Sequence, residues 1–221
     1  MNLRNRSAAV PALLLASLLA FATAAVAADE LPETSPDGLQ LVKRKDLDVL
    51  YVRPGASLAS YTKVMIDPVE VAFSKEWKPS SMEVSAKDRE DIRTGLAEEF
   101  RDVFTKELQE KGGYQVVTEA GPDVLRVTAG IIDLYITAPD TNSVSPQSRS
   151  FVFSAGQMTL VGELRDSESG AILARVADRK GGQDSTRMTW ATSTSNRAEA
   201  RRALAQWAGI LRDALDRAKS S

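Results

Sequence analysis

The stretch at residues 161–176, VGELRDSESGAILARV, decides the fold class. Apolar and polar residues alternate on both sides of a polar centre, which is typical of two half-buried strands joined by a turn. Asp166 can accept hydrogen bonds from nearby backbone N–H groups, and Gly170 can adopt the positive φ that such a turn requires. The stretch therefore predicts a β-hairpin in which both residues have a structural role.

The two-residue period of the hairpin recurs along the chain and predicts a sheet of several strands. Pro68 divides one of these segments, because proline cannot donate a hydrogen bond to a neighbouring strand. In the longest segment the apolar residues change from one face to the other, and a bulge near Gly130 would account for the change. The predicted strands cover residues 39–42, 49–52, 64–73, 114–118, 124–137, 151–165 and 171–178.

Two other segments have the period of an amphipathic helix. The first begins at Ser85, which can cap the helix with Asp88 three residues later, and it runs for about 26 residues to the glycine pair at 112–113. The second begins at Asn196, with Glu199 at the spacing of a capping box, and runs almost to the end of the chain.

This order of strands and helices predicts an α+β fold with two layers. We expect an antiparallel-rich mixed sheet with both long helices packed on one face. Residues 39–221 form a single α+β domain in this interpretation. Residues 28–38 are rich in acids, proline and turn formers and contain almost nothing apolar, so they are expected to be a flexible lead-in.

Residues 1–27 have the pattern of a secretory signal peptide: two arginines, a short leucine-rich core and the A-x-A box at 25–27. We expect cleavage after Ala27 or Ala28 and a mature protein in the periplasm. The alternative is an uncleaved membrane anchor, because residues 8–28 are nearly uncharged over about 20 residues, the length that spans a bilayer. Membrane attachment is expected only in that case.

The composition excludes several classes of function. The chain has no histidine and no cysteine, so it has no disulfide, thiol nucleophile, Ser-His-Asp triad or lipid-modified cysteine. The usual nitrogen and sulfur metal ligands are missing too, and no cofactor motif is present, so neither a metal nor a cofactor is expected. The net charge of −2 also argues against binding to nucleic acid.

Three stretches resemble one family of exported bacterial proteins, DUF3313. They are LPETSPDGLQLVK at 31–43, DVLYVRPG at 48–55 and YTKVMIDPVEVAF at 61–73. The resemblance covers nearly all of the chain after the leader and implies an exported α+β domain of unknown function, with no catalytic residues to carry over. The hairpin is more loosely similar to those of the TolB N-terminal and curli-secretion lipoprotein families. Many such envelope proteins carry a lipobox cysteine, which this chain lacks.

Catalytic candidates depend on spacing alone. Ser60 and Lys63 match the S-x-x-K of penicillin-recognising enzymes, but about one such spacing is expected by chance and the companion motifs are absent. Asp67 and Asp133 are the acids whose neighbours suggest burial, as a glycosidase pair would need. A hydrogen-bonded structural carboxylate is the favoured interpretation of both.

Two long polar segments, 138–150 and 181–195, are candidates for binding, because loops of this length are often functional. The second contains Arg187, Met188 and Trp190, a mixture of cationic and apolar side chains that is favoured at protein contacts. Alternatively, Met188 and Trp190 belong to a last strand that packs inward.

The function expected from these observations is that of a non-enzymatic binding or accessory module in the cell envelope, with an envelope protein as its partner. Trp77 is a second, weaker candidate for an exposed contact residue. The alternative is a cell-envelope hydrolase that uses carboxylate or Ser/Lys chemistry.

Overall fold

The computed structural model describes residues 31–77, 85–136, 155–181 and 193–220, and Pro32–Ser221 form one compact unit. The order of elements is four strands, a helix, four strands and a helix, which confirms the predicted α+β fold. The strands are β1 (Gln40–Leu41), β2 (Val49–Val52), β3 (Lys63–Ile66), β4 (Glu70–Phe73), β5 (Gln115–Val117), β6 (Val124–Ile136), β7 (Ala155–Asp166) and β8 (Ile172–Lys180). The helices are α1 (Ala86–Lys106) and α2 (Ser193–Ser220), and one π-helical turn, Glu107–Lys111, extends α1.

All eight strands belong to one mixed sheet with the order β1-β2-β8-β7-β6-β3-β5, and β4 pairs with β6 beyond β3. Neighbouring strands in the part of the sheet with the order β1-β2-β8-β7-β6 are antiparallel. Strands β3 and β4 run parallel to β6. The hairpin of β7 and β8 has the predicted turn, in which Asp166 Oδ1 accepts from Ser169 N at 2.7 Å and Gly170 has a φ of +70°. Pro68 separates β3 from β4, as the sequence indicated.

Both helices pack on one face of the sheet and share a single apolar core with it. The predicted capping box is present at the start of α1, where Ser85 Oγ accepts from Asp88 N at 3.1 Å. Helix α2 begins at Ser193, so the predicted start at Asn196 was three residues late. The run Ser193-Thr-Ser-Asn196 contains four residues that can each cap a helix, and capping chemistry alone does not select among them.

The bulge in β6 lies further along the strand than predicted. Gly130 pairs in regular register with Val161, and the register shifts between Ile132 and Tyr135. Asp133 takes up the extra residue with a φ of +52°, a conformation that a short polar side chain tolerates. The bulge turns Asp133 out to solvent, so the expected burial of this acid was wrong.

The end of the predicted lead-in is packed on the sheet. The segment from Pro32 to Leu41, the N-terminal turn, is held by the bond of Leu39 N to Ser35 Oγ at 2.9 Å. The hydroxyl of Tyr51 in β2 also donates to Pro32 O at 2.7 Å. Leu39, which directly follows the predicted lead-in, is fully buried and supplies an apolar contact at the end of the turn.

Candidate functional site

A cavity of about 240 Å³ lies between the sheet and the helices, on the side of β2 and β8. Residues of both layers form its wall. The floor is apolar side chains of β2, β6, β7 and β8, and the roof is side chains of α1 and α2. The floor residues include Leu50, Val52, Ala129, Leu160, Leu164, Ala174 and Val176, and the roof residues include Phe100, Phe104, Trp207, Ile210, Leu211 and Ala214.

The cavity exists because small residues stand opposite each other in its floor. Ala129 of β6 pairs directly with Gly162 of β7, and Ala174 of β8 lies beside Leu164. A Cβ atom at Gly162 would lie 3.2 Å from Val176 Cγ1, so the glycine leaves this part of the floor without a side chain.

The polar groups next to the cavity are already paired. Trp207 Nε1 donates to Asp178 Oδ2 at 2.6 Å, and Asp178 is 2% exposed. The same carboxylate accepts from Asp48 N at 3.1 Å and lies 2.9 Å from Lys180 Nζ. Trp207 therefore presents the apolar part of its ring to the cavity. The wall can make apolar contacts with a ligand, but its neighbouring polar groups are already hydrogen-bonded.

Arg44 lies where the wall of the cavity reaches the surface. It belongs to the cavity wall, and a quarter of its side chain is exposed. Its Nε donates to Asp46 Oδ1 at 2.7 Å. This hydrogen bond raises the pKa of Arg44 and lowers the pKa of Asp46, so the pair stays charged over a wide pH range. Leu47 is buried beside it and continues the apolar wall.

The predicted contact residues Arg187, Met188 and Trp190 lie outside the described residues, as do residues 138–150 and most of 181–195. The interpretation of Trp77 as exposed was wrong. Its side chain stacks on Phe73 with ring centroids 4.7 Å apart, its Nε1 donates to the carbonyl of Ile136 at 2.9 Å, and the residue is 9% exposed. A tryptophan flanked by lysines was therefore a core residue at the end of the sheet.

The structure does not bring the catalytic candidates together. Lys63 Nζ lies 3.2 Å from Asp123 Oδ1 and is used in that ion pair, while Ser60 is exposed in the turn before β3. Asp67 accepts hydrogen bonds from Arg126 Nε at 2.8 Å and from Thr128 Oγ1 at 2.7 Å. This matches a structural carboxylate.

Asp67 and Asp133 are also too far apart to act as a glycosidase pair. Asp67 bonds to Thr128 on β6, and Asp133 lies five residues further along that strand. Five strand residues span roughly 16 Å, whereas paired carboxylates of glycosidases are about 5 to 10 Å apart. The structure therefore offers no support for a hydrolase built on these two acids.

The cavity is the feature that the sequence did not reveal. Its floor depends on the register that sets Ala129 opposite Gly162, and register across two strands is not readable from either strand alone. The Lys43-Arg44-Lys45 run beside its surface opening was visible in the sequence, but nothing local connects it to a cavity.

Two further findings concern only the residues that the structure describes. They contain no group of three or more acidic residues, histidines or cysteines placed to hold a metal ion. No helix among them is long and apolar enough to cross a membrane.

Several solved structures are similar to this chain at low identity. The PelC dodecamer from Paraburkholderia phytofirmans is 12% identical with a TM-score of 0.36, over 71% of this chain and 95% of PelC. Protein XCC0632 from Xanthomonas campestris, of family DUF330, is 11% identical with a TM-score of 0.38, over 76% of this chain and 93% of its own. A minor lipoprotein from Acinetobacter baumannii is 9% identical with a TM-score of 0.33, over 71% of this chain and 95% of the lipoprotein.

No curated protein matches the chain in sequence. One family model does match it, from residue 34 to residue 211, and its description is "Protein of unknown function (DUF3313)". The match includes most of the three stretches that suggested this family and extends through the hairpin into α2. The chain therefore belongs to the DUF3313 family.

Proposed function

We propose that this protein is an exported, non-enzymatic binding module of the bacterial cell envelope that holds an apolar ligand between its sheet and its helices. The observation that carries the proposal is the cavity of about 240 Å³ with apolar walls from both layers. Binding sites for small molecules are typically concave and mostly apolar. The leader at residues 1–27 supports export to the periplasm.

Binding is favoured over catalysis by the state of the polar groups around the cavity. An active site needs polar groups that converge on the reacting atoms, with at least one acid or base available. In the described part of the wall, Trp207 and Arg44 are engaged with protein partners, and the side chain of Glu163, a residue that also contributes to the wall, is bonded to Arg165 and Arg175. A ligand in this cavity gains its binding free energy from buried apolar area, at about 25 cal/mol per Å².

The accessory role includes a protein partner. Arg187, Met188 and Trp190 are proposed as its contact residues, on the composition of the segment alone. Capture from periplasm with the wild type and with the Arg187→Ala/Trp190→Ala variant tests this part. We expect one specific partner to be lost in the variant while its circular dichroism spectrum is unchanged. Equal recovery of the partner by both proteins would contradict it.

The cavity is tested with a neutral apolar fluorophore, naphthalene, titrated into the mature protein. Ala214 is half-buried in the roof, and Ala214→Leu would fill the space from helix α2. We expect saturable binding to the wild type, weakened about tenfold or more in this variant, which corresponds to about 1.4 kcal/mol. The matched control is Ala198→Leu, the same change at an exposed position of the same helix.

The control variant is expected to bind like the wild type. Absence of saturable binding to the wild type would overturn the proposal. Equal affinities of the wild type and the Ala214→Leu variant would also overturn it, because the probe would then be bound elsewhere.

A further inference from the structure

We infer that the ligand is a single-chain amphiphile with an anionic head group. Its acyl chain lies in the cavity, and its head group lies on the loop from Val42 to Asp48, the basic loop. This inference rests on the proposed function, because it assigns the ligand class of the same cavity. Three observations carry it: the volume of the cavity, the position of Arg44 and the charge of the basic loop.

The volume fits one chain. A cavity of about 150 Å³ is known to hold benzene, a ligand of six carbon atoms. By that proportion the 240 Å³ of this cavity would hold about ten carbon atoms. One medium-length acyl chain matches this number, whereas the two chains of a diacyl lipid do not. The wall offers such a chain aliphatic and aromatic contacts along both layers.

Arg44 connects the cavity to the solvent. Its side chain is part of the wall and is also 25% exposed, so a chain in the cavity would place its polar end near this guanidinium. A guanidinium has five N–H donors, and Asp46 accepts from Nε and from Nη2. A second carboxylate, Asp213, also acts on Arg44 electrostatically, but it is paired with Arg212 Nη2 at 2.7 Å, so donors of Arg44 remain for a further anion.

The basic loop is locally positive in a chain whose net charge is −2. Lys43 and Lys45 are exposed on either side of Arg44, and neither has an ion pair among the described residues. The two acids of the loop are used internally. Asp46 bonds to Arg44, and Asp48 Oδ2 accepts from the backbone N–H of Arg179 at 2.9 Å. The surface beside the opening is therefore complementary to a negative head group.

The basic loop is also partly apolar. Val42, at the start of the basic loop, is 41% exposed and is one of the two large exposed apolar residues in the described part of the chain. An amphiphile has a charged head group followed by an uncharged chain. Val42 could contact the first methylenes of that chain while the exposed lysines beside it face the head group. A carboxylate and a phosphate monoester share this chemistry, so both a fatty acid and a single-chain phospholipid fragment meet it.

The test uses displacement of naphthalene from the full mature protein, with all ligands below their micelle concentrations. One series is hexanoate, octanoate, decanoate and dodecanoate. We expect each added methylene to tighten binding about fourfold up to about ten carbons and little beyond. Decanol has the same chain without the charge, and decyl phosphate has a different anion. The preference between decanoate and decyl phosphate distinguishes a fatty acid from a phospholipid fragment.

The charge is tested with the Lys43→Gln/Lys45→Gln variant. We expect it to bind decanoate about fivefold more weakly than the wild type and decanol equally well. The matched control is Lys75→Gln/Lys106→Gln, which removes two exposed lysines outside the cavity wall and should leave both affinities unchanged. Added salt should reduce the preference for decanoate over decanol, because the lysines are exposed.

The possible failures are distinguishable. If decanol and decanoate bind equally, and the Lys43→Gln/Lys45→Gln variant matches the wild type, the anionic amphiphile is wrong and the apolar cavity stands. An affinity that does not depend on chain length overturns the single acyl chain. If neither the fluorophore nor any ligand binds, the proposed function fails as well.

Discussion

The two faces of the sheet differ in the side chains that they bury. The helix-covered face is apolar, and small residues at Ala129 and Gly162 leave part of it unfilled. The opposite face also buries apolar side chains such as Tyr51 and Val161, but it carries in addition Glu163, whose side chain is fully buried and bonded to Arg165 and Arg175. An apolar wall remains stable around a ligand-sized space, whereas a buried charge requires every partner in place. This difference supports the proposal that a ligand binds on the helix-covered face.

The charged face is closed by the N-terminal turn. Arg175 Nε donates to Glu163 Oε1 at 2.8 Å, and its Nη1 donates to Asp37 Oδ1 at 3.1 Å. Ser35 Oγ donates to the same Asp37 oxygen at 2.7 Å. A chain of hydrogen bonds thus connects the turn to the centre of the sheet.

The largest effect is expected from Glu163→Gln. The change removes the buried carboxylate that Arg165 and Arg175 share, and these arginines are only 17% and 11% exposed. Breaking such a buried pair costs about 3 kcal/mol or more, although Arg175 keeps its contact with Asp37. Urea unfolding measures the loss in free energy of unfolding. Glu168→Gln, in the exposed hairpin turn, is the matched control and should be nearly neutral. A loss below about 1 kcal/mol for Glu163→Gln would show that the two faces do not differ in this way.

A smaller loss is expected from Trp207→Phe on the helix-covered face. The variant removes the donor to Asp178 and leaves a buried carboxylate oxygen with one partner fewer, at a cost of about 2 kcal/mol. The apolar wall itself survives, so binding of the neutral fluorophore should persist. Urea unfolding and a fluorophore titration measure the two effects. If the variant loses fluorophore binding but keeps the free energy of unfolding of the wild type, the account is contradicted. The Trp207–Asp178 hydrogen bond would then not stabilise the fold, and the apolar wall would not be what binds.

Filling the cavity is expected to raise the free energy of unfolding rather than lower it. We expect Ala214→Leu to raise the free energy of unfolding by about 1 kcal/mol in the absence of ligand, because it replaces empty space with packed side chain. Ala198→Leu, at the exposed position, should change it little. If Ala214→Leu instead destabilises the protein by a similar amount, the space is already filled by well-packed atoms.

The smallest expected effect is on the stability of the protein at acidic pH, through the carboxyl group of Asp37. Partial burial raises the pKa of Asp37, but the Ser35 hydroxyl and the Arg175 guanidinium outweigh it, and the net pKa lies below the usual 3.8. The folded protein therefore binds this proton less tightly than the unfolded chain does. The contribution of Asp37 is present above about pH 4 and is lost as the pH falls through the folded-state pKa.

Asp37→Asn should accordingly flatten the acid limb of a plot of unfolding free energy against pH. The difference is expected to be under about 1 kcal/mol, because the side chain is one-third exposed and solvent screens it. An acid limb of unchanged slope in the variant would mean that the N-terminal turn does not stabilise the charged face electrostatically.

Local chemistry made much of the fold predictable. The capping box at Ser85, the hairpin turn at Asp166 and Gly170, and the break at Pro68 each depend on a few neighbouring residues, and the structure has all of them. The failures involve contacts that are distant in sequence. Trp77 is buried because Ile136 accepts its N–H group across 59 residues.

The candidate site was not predictable for the same reason. The cavity depends on the pairing of Ala129 with Gly162 and on the helices above them, which no single segment encodes. The bulge in β6 could be foreseen from the change in apolar parity. Its position at Asp133 rather than Gly130 follows from the pairing with β7, in which Gly130 keeps regular register opposite Val161.

The most direct test of an apolar ligand on the helix-covered face is fluorine NMR of the protein labelled with 5-fluorotryptophan and titrated with decanol. The chain has three tryptophans; Trp207 lies in the cavity wall, and Trp77 is buried outside it. The Trp207→Phe variant assigns the first signal. We predict a saturable shift of the Trp207 signal while the Trp77 signal stays in place. A Trp207 signal that does not move, or one that moves only together with Trp77, would contradict the account.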